Sequence, residues 1–391
     1  MKPWKKSIII VNNNLGIGGI QKALVNLLNE IAGKYDITLF LFKKSGELLH
    51  EVPDHVKIIE ARGILRLLGV SQAESRQMGV FYYYFRAVLA LFCRLFNNNL
   101  IIKCLVKTQV LNEKYDAAIS FMQNSHNKLF FGGCNDFVIS SIEAGRKISF
   151  VHCDFSNYEG NSKFNRSIYD KFDKVALVSN SCKHSFENIM PQLASKTVCV
   201  YNCCNYEKIK EMANEDPYIY EKGINLLTVA RISEEKGFFR CIDIIKKLNQ
   251  RGYEFFWHII GDGIQKTELL QKIKANALGR YIIFHGGTNN PYRYMKNASA
   301  LFVPSYHEAA PMVFMEAKAL GLPILTTDTC SAKEMVEDTE SGIVCDNQEE
   351  AILELLLKVC KTPRLLKIAP MPADNKIAVK EFCGLIEETY D

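Results

Sequence analysis

Two glutamates flank the start of a predicted helix in the second half of the chain. Glu308 lies in a polar loop that follows the apolar run ALFVP, and Glu316 lies within MVFMEAKAL, after Pro311. Proline suits the first turn of a helix, because the N–H that it lacks would have no partner there. Gly321 and Pro323 indicate where the helix stops, and PILTT predicts the next strand. Both carboxylates therefore belong to one strand–helix–strand unit.

The start of this predicted helix can bind an anion. The N–H groups near Met312 and Val313 have no partner within the helix, and the helix dipole adds partial positive charge. Glu316 lies one turn beyond Met312 on the same face, so it can accept hydrogen bonds from hydroxyls of a ligand whose phosphate lies at the helix end. Glu308 could hold further hydroxyls. The spacing alone equally allows two solvated acids beside an ordinary turn.

A glycine-rich loop follows the first apolar run of the chain. Gly16, Gly18 and Gly19 resemble a dinucleotide fingerprint, but Gln21 stands where its third glycine belongs, and no acid ends the next predicted strand. The pattern therefore disfavours NAD. A loop that lets a ligand approach the backbone is favoured over a plain tight turn.

His152 is the second candidate in the first half. The run KISFV predicts a buried strand that leads into His152 and Asp154. Because α/β proteins bind ligands at the ends of parallel strands, this position raises the case for a functional histidine. A structural and a functional role remain equally open.

Strands and helices alternate through both halves of the chain. Residues 7–11, 20–31 and 35–42 predict a strand, a helix and a strand, and KYDAAISFMQ and DFVISS predict further strands. The pattern restarts at INLLTVA and alternates almost strictly to ALFVP. This predicts two doubly wound α/β domains with a boundary near residue 205.

Residues 62–107 mix aromatic, aliphatic and basic side chains. They hold seven Arg or Lys and one acid, Glu74, whereas the net charge of the whole chain is +5. Arg86 and Arg94 interrupt the longest apolar region, which leaves it too short to span a bilayer. Two interpretations compete: helices that lie on an anionic membrane surface, and core-packed helices whose arginines face water. We favour the membrane.

Composition excludes several classes of protein. The start, MKPWKKSIIIVNNN, lacks the long apolar region of a signal peptide, and the thirteen cysteines show no CxxC pair. We therefore expect reduced thiols in a cytosolic protein, without structural zinc. Nucleic acid is the least favoured partner, because the basic residues are interleaved with long aliphatic runs.

Four segments in order carry a resemblance to a known family. RISEEKG, IIGDG, FHGG and EAAP followed by EA resemble the family-4 retaining glycosyltransferases of the bacterial surface-polysaccharide type. The resemblance implies the GT-B fold, an α/β architecture in which two Rossmann-like doubly wound domains face a central cleft. Residues 1–205 would form the acceptor-side domain, residues 206–370 the nucleotide-sugar-binding domain, and residues 371–391 a C-terminal helix that returns to the first domain.

The resemblance also implies roles for individual residues. Arg231 and Lys236 would clamp the donor diphosphate, where two fixed cations can neutralise the charge on a departing nucleoside diphosphate. Glu308 would contact the donor sugar and His152 would lie near it, which completes the predicted catalytic set. Glu316 would hold the ribose hydroxyls. The predicted donor-binding residues are Gly18, Gly19, Gly261, Gly263, Pro311, Met312, Val313 and Glu316.

The implied activity is transfer of a hexose, with retention, from a UDP-type nucleotide sugar to a lipid-linked or polysaccharide acceptor in cell-surface glycan synthesis. No cofactor or metal is expected, since no D-x-D occurs. The expected location is peripheral, at the inner face of the cytoplasmic membrane. One departure is Ala309, where the family usually has glycine. Alternatives are a non-catalytic glycosyltransferase-like subunit and a sugar-nucleotide epimerase on the same fold.

Overall fold

The computed structural model describes residues 5–124, 128–158, 161–368 and 374–387. The chain forms two compact units. Unit 1 comprises Met1–Cys203 with Asn375–Asp391, and unit 2 comprises Cys204–Asp374. The expected domain limit between residues 370 and 371 lies outside the described residues.

The described part of unit 1 contains a seven-stranded parallel sheet. The strands are β1 Ser7–Asn12, β2 Asp36–Leu41, β3 Lys57–Glu60, β4 Lys114–Ser120, β5 Glu143–Val151, β6 Lys174–Leu177 and β7 Thr197–Cys199, in the order β3-β2-β1-β4-β5-β6-β7. The central strand β1 is apolar over a continuous run, as expected of a parallel strand that is covered on both faces.

Helices connect these strands and cover the sheet. In unit 1 they are α1 Gly19–Ile31, α2 Gln72–Gln77, α3 Val80–Leu95, α4 Asn99–Val106, α5 Cys134–Ser141, α6 Lys163–Tyr169 and α7 Asn180–Ile189. Ser179 caps α7 by accepting a hydrogen bond from the N–H of Cys182 at 3.0 Å. The predicted helix at residues 20–31 is confirmed, and its apolar face is buried.

Unit 2 begins with α8 Tyr206–Asn214 and repeats the same architecture. Its strands are β8 Ile224–Val229, β9 Phe255–Ile260, β10 Ile282–Gly286, β11 Ala300–Val303, β12 Ile324–Thr327 and β13 Gly342–Cys345. Its other helices are α9 Phe238–Gln250, α10 Lys266–Ala275, α11 Tyr292–Met295, α12 Met312–Ala319 and α13 Glu349–Lys361, and a π-helix covers Lys333–Glu337.

Both sheets have the strand order of a Rossmann fold. In unit 2 the order is β10-β9-β8-β11-β12-β13, which runs third, second, first, fourth, fifth, sixth along that sheet. The order reverses between β8 and β11, as it does between β1 and β4 in unit 1. Open α/β sheets bind ligands beyond the carboxyl ends of the strands at this switch point, so the loops after β8 and β11 define the place to search in unit 2.

One predicted strand is wrong. DFVISS lies in α5, not in a strand. It joins β4 to β5, which are parallel neighbours, and a parallel pair needs a crossover that is usually helical. The apolar run is too short for periodicity to separate a buried helix from a buried strand.

Helix α3 has two different faces. Tyr82, Phe85, Leu89 and Cys93 pack against the core of unit 1, while the opposite face is exposed. Arg86 does not face water, because it is buried and donates to the carbonyl oxygens of Val70 and Phe130. Within the described residues, no helix is both long enough and apolar enough to cross a membrane.

The last described helix, α14 Lys376–Glu387, belongs to unit 1. Lys6 donates to the carbonyl oxygen of Ile386 at 2.8 Å, and buried Arg146 donates to that of Leu385 at 2.7 Å. Cations suit this position, because the last carbonyls of a helix carry partial negative charge.

Candidate active site

The switch point of unit 2 brings Lys236 and Glu308 together. Lys236 follows β8 and Glu308 follows β11, strands that are adjacent in the sheet although far apart in the sequence. The ammonium Nζ of Lys236 lies 2.7 Å from Oε1 of Glu308. Their side chains are 17% and 11% exposed, so the ion pair is mostly shielded from water. Two of the four predicted catalytic side chains therefore lie in contact.

Glu308 is held by a second donor. The hydroxyl of Ser305 donates to the same Oε1 atom at 2.8 Å. Both of these contacts go to Oε1, which leaves Oε2 outside them. These two contacts fix the orientation of the carboxylate. The role of Ser305 was not predicted from the sequence.

Ala309 is compatible with the loop that carries Glu308. Among the described residues other than glycine, positive φ occurs at Asp216, Ala277 and Glu340, and not at Ala309. The hydroxyl of Ser331 donates to the carbonyl oxygen of Ala309. Alanine in place of the usual glycine therefore introduces no left-handed strain.

Glu316 is buried within α12. Its Oε1 accepts a hydrogen bond from the hydroxyl of Tyr292 at 3.1 Å, and it is 4% exposed. A carboxylate this deeply buried is not the solvated surface acid that the spacing also allowed. Tyr292 lies in α11 and was not predicted as a site residue, since it gives no local signal in the sequence.

The start of α12 has the expected geometry. Pro311 precedes Met312 in an extended conformation, with φ −67° and ψ 125°, and Met312 and Val313 open the helix. The N–H groups of such a first turn have no acceptor within the helix and can serve a phosphate. Gly321 follows the helix with φ 65°, a conformation that favours glycine.

Gly261 and Gly263 are explained by packing between loops. A Cβ atom on Gly261 would lie 1.9 Å from the carbonyl oxygen of Ala230, and one on Gly263 would lie 2.3 Å from that of Ile232. The loop after β9 therefore approaches the loop after β8 more closely than any side chain permits. These glycines position the loop of Arg231 and Lys236, and their type alone does not indicate a nucleotide.

Arg231 lies in the loop after β8 but outside the ion pair of Lys236. Its side chain is 79% exposed, and its guanidinium lies 3.6 Å from a carboxylate oxygen of Glu235. An exposed ion pair of this kind contributes little to stability. Arg231 is thus a cation that can turn towards an anionic ligand at small cost.

The glycine loop of unit 1 leads into α1. Gly18 precedes the helix in extended backbone and Gly19 is its first residue, without a side-chain cap. The loop is anchored upstream, where Asn13 and Asn14 donate to the carbonyl oxygens of Leu68 and Gly69 at 2.9 Å and 2.7 Å. The loop that leads into α1 is therefore held in place by unit 1.

His152 directly follows β5 in unit 1. Its ring lies 4.7 Å from that of Phe121 and 5.8 Å from that of Phe150, measured between centroids. Nε2 is buried without a hydrogen-bond partner in the described structure. Burial lowers the pKa of His152 to about 3, so the ring is neutral at physiological pH. The neutral imidazole can form a hydrogen bond with a ligand but contributes no charge.

The sequence of unit 2 matches a known family. A profile of the family described as glycosyl transferases group 1 covers residues 210–371. Unit 2 is a group 1 glycosyltransferase domain. The protein is therefore a glycosyltransferase, and the predicted resemblance is confirmed over residues 210–371. The loops that carry Arg231, Lys236 and Glu308 all lie within the matched residues.

One relative is similar over nearly the whole glycosyltransferase chain. It is the N-acetylgalactosamine-N,N'-diacetylbacillosaminyl-diphospho-undecaprenol 4-alpha-N-acetylgalactosaminyltransferase of Campylobacter jejuni. The two are 24% identical over an alignment of 376 positions, and the alignment covers 90% of each chain.

Solved structures share the fold of this glycosyltransferase. HepE of Anabaena, in complex with UDP and glucose, has a TM-score of 0.63 at 14% identity and covers 97% of this chain and 94% of its own. TarM of S. aureus has a TM-score of 0.69 at 11% identity and covers 99% and 100%. These likenesses confirm the predicted GT-B fold of two parallel-sheet α/β domains.

Proposed function

We propose that this glycosyltransferase moves a hexose, with retention of configuration, from a UDP-sugar to a lipid-linked or polysaccharide acceptor in bacterial surface-glycan synthesis. The observation that carries the proposal is the shielded contact between Lys236 and Glu308 at the switch point of unit 2. It places a fixed cation and an oriented carboxylate where an α/β sheet binds its ligand.

The donor would be bound through charge and hydroxyl contacts. Lys236 and Arg231 supply positive charge for the diphosphate, and the first turn of α12 supplies N–H groups. Buried Glu316, oriented by Tyr292, is suited to accept hydrogen bonds from ribose hydroxyls. UDP bound to HepE supports the choice of base. The cations supply charge neutralisation without a metal, so we propose a metal-independent reaction.

Retention is supported by the state of Glu308. Its Oε1 accepts from both Lys236 and Ser305, which withdraws charge from the carboxylate. A carboxylate in this state is better suited to hold a sugar hydroxyl than to attack the anomeric carbon as a glycosidase nucleophile does. The acceptor hydroxyl would then attack from the face that the diphosphate leaves. The departing oxygen, stabilised by the cations, takes the proton of the acceptor.

Helix α3 supports a lipid-linked acceptor. Six of its apolar side chains are between 57% and 72% exposed and repeat at helical spacing: Val80, Phe81, Tyr84, Val88, Leu91 and Leu95. We call this set the α3 apolar face. Four basic residues nearby are exposed: Arg76 of α2, Arg94 of α3, Lys103 of α4, and Lys107, which follows α4. An apolar helix face flanked by cations suits an anionic membrane surface.

This surface and the relative both support the proposed class of acceptor. The name of the C. jejuni enzyme specifies a diphospho-undecaprenol acceptor, which supports a glycan carried on a lipid diphosphate here. A membrane-bound acceptor would be met by an enzyme held at the inner face of the cytoplasmic membrane. Arg86 fixes α3 to the body of unit 1, so the apolar face is presented on a rigid support.

A thermal-shift panel of UDP, GDP, ADP and CDP with EDTA present tests the donor site. A ligand at a hundred times its dissociation constant adds about 2.7 kcal/mol to the free energy of unfolding. We expect UDP to stabilise the wild type and not Lys236→Ala. No shift with any nucleotide would favour a non-catalytic subunit.

Two further incubations distinguish a transferase from an epimerase. With UDP-sugar alone, an epimerase releases free nucleotide, whereas a transferase needs the lipid-linked acceptor. NMR of the transferred anomeric proton then distinguishes retention from inversion.

A further inference from the structure

Arg240 is a buried arginine in the first turn of α9 that binds the main chain leading to Glu308. It is 5% exposed. Its guanidinium donates to the carbonyl oxygen of Pro304 through Nε at 3.1 Å and through Nη2 at 2.6 Å. Nη2 also donates to the carbonyl oxygen of Ser305 at 2.9 Å, and Nη1 to Oδ1 of Asn347 at 2.7 Å.

These bonds connect segments that follow the carboxyl ends of three strands of one sheet. Pro304 follows β11, Asn347 follows β13, and α9 follows the loop after β8. From β12, the hydroxyl of Thr327 donates to the same Ser305 carbonyl at 2.6 Å. One guanidinium therefore ties together the loops that meet at the candidate site.

The backbone before Arg240 packs closely against the loop that follows β11. Gly237 has φ 68°, and a Cβ atom on it would lie 2.0 Å from the carbonyl oxygen of Pro304. The ring of Tyr306 covers the guanidinium, with its centroid 4.0 Å from Cζ. The acceptors of Arg240 are carbonyl and amide oxygens, none of them a carboxylate, so its hydrogen-bond partners do not neutralise its charge.

We propose that Arg240 is a positioning residue of the donor site: by holding the carbonyls of Pro304 and Ser305, it fixes where Glu308 meets the donor sugar. The inference rests on the proposed function. Arg240 acts through the main chain and does not touch the donor. Lysine cannot replace it, because an ammonium group lacks the planar fork that binds several acceptors in fixed directions.

A double-mutant cycle with Glu308 tests the proposal. We expect Arg240→Lys to lower kcat for transfer by at least about tenfold, while Kd for UDP, which lacks the sugar, changes by less than about twofold. In a Glu308→Ala background, the same substitution should change the residual rate by less than about twofold, because residues that act as one unit are not additive. The same fractional loss in both backgrounds would overturn the proposal.

Arg146→Lys is the matched control, since Arg146 is also buried and binds a carbonyl oxygen, but in unit 1. It should lower Tm without changing kcat. If Arg240→Lys does not fold, Thr327→Val removes the other side-chain donor to the Ser305 carbonyl and enters the same cycle, with a smaller expected loss. If the wild type transfers sugar but the effects of the two substitutions are additive, the proposed role of Arg240 is overturned and the proposed function stands. A wild type that binds no nucleotide overturns the proposed function together with it.

Discussion

The ammonium of Lys236 lies 2.7 Å from Oε1 of Glu308, although 72 residues separate them along the chain. Lys236→Ala removes the more shielded of the two cations that are predicted to bind the diphosphate. Of the two side-chain donors to Oε1 of Glu308, only Ser305 then remains. We expect the transfer rate to fall by about 10²–10³-fold, as for the loss of one group that stabilises charge in a transition state. Steady-state kinetics with saturating donor measure the effect.

Lys266→Ala is the control for that substitution. Lys266 also follows a strand of unit 2 and pairs with Asp262 at 2.9 Å, but this pair is largely exposed. Exposed pairs contribute about 0–1 kcal/mol, so neither the transfer rate nor Tm should change much. Equal losses of activity in the two variants would show that Lys236 has no specific role.

Glu316 and Tyr292 should control donor affinity more than turnover. Hydrogen bonds to a charged group contribute about 1.5–3 kcal/mol, so Glu316→Ala should weaken UDP binding by about ten- to a hundredfold, measured by calorimetry. Tyr292→Phe removes one hydrogen bond to the carboxylate, and the loss should be about threefold to tenfold. If Glu316 holds the ribose, the wild type and Glu316→Ala should bind 2′,3′-dideoxy-UDP with similar affinity. A mutational loss that is the same with UDP and with the dideoxy nucleotide would place Glu316 elsewhere.

Ala309→Gly tests whether the departure from the family pattern matters. Because Ala309 has no positive φ, glycine relieves no strain there and adds backbone freedom in the unfolded chain. We expect kcat and the donor KM to change by less than about threefold and stability to fall by about 0.4–1 kcal/mol. A large gain in activity would mean that alanine holds Glu308 out of place.

The strand and helix pattern around the site could be predicted because local signals agree there. Pro311 and Gly321 mark the ends of α12, and the apolar runs on either side form β11 and β12. DFVISS failed because six residues do not define a period, and the crossover between β4 and β5 decided its structure. Local sequence rules predict an element correctly where proline and glycine mark its ends. They fail where the connection between two strands determines whether a segment is a helix or a strand.

Three residues of the site could not be predicted, because their partners are fixed by the fold. Tyr292 reaches Glu316 from another helix, and Ser305 meets Glu308 only through the turn of the loop. Arg240 carried one signal: Ile244 and Leu248 continue its stripe along the buried face of α9. A charged residue on a buried stripe must find polar partners, but the sequence does not name the carbonyls of Pro304 and Ser305.

The α3 apolar face predicts a measurable affinity for anionic vesicles. Val88 and Leu95 are 62% and 66% exposed, and inserting each side chain contributes up to about 1.5–3 kcal/mol. The double substitution Val88→Glu, Leu95→Glu should lower binding to phosphatidylglycerol-containing vesicles by at least about tenfold in a sedimentation assay. Ile219→Glu, at an exposed apolar residue of unit 2, should not. Equal binding to neutral vesicles would remove the electrostatic part of the proposal.

A pair of histidines, buried His258 and half-buried His285, predicts acid sensitivity in unit 2. Asn225 donates through Nδ2 to the carbonyl oxygens of Glu221 and Gly223, so its Oδ1 accepts from Nε2 of His258 at 3.0 Å. Nδ1 of His258 then accepts from Nε2 of His285 at 2.9 Å. Tyrosine rings surround the two imidazoles: Tyr218, Tyr220 and Tyr294. The pair is thus held neutral in an aromatic pocket.

Burial, together with the neighbouring His285, lowers the pKa of His258 from 6.5 to about 4. Between these two pH values the unfolded chain binds a proton that the folded chain does not, so stability is full above pH 6.5 and declines as the pH falls towards 4. The decline from this group amounts to about 3 kcal/mol at most. Urea unfolding followed by Trp257 fluorescence, in a Trp4→Phe background, should show it. His258→Gln should remove that part of the pH dependence and exposed His55→Gln should not. If the unfolding free energy of His258→Gln depends on pH in the same way as that of the Trp4→Phe parent, the pKa of His258 is not lowered by folding.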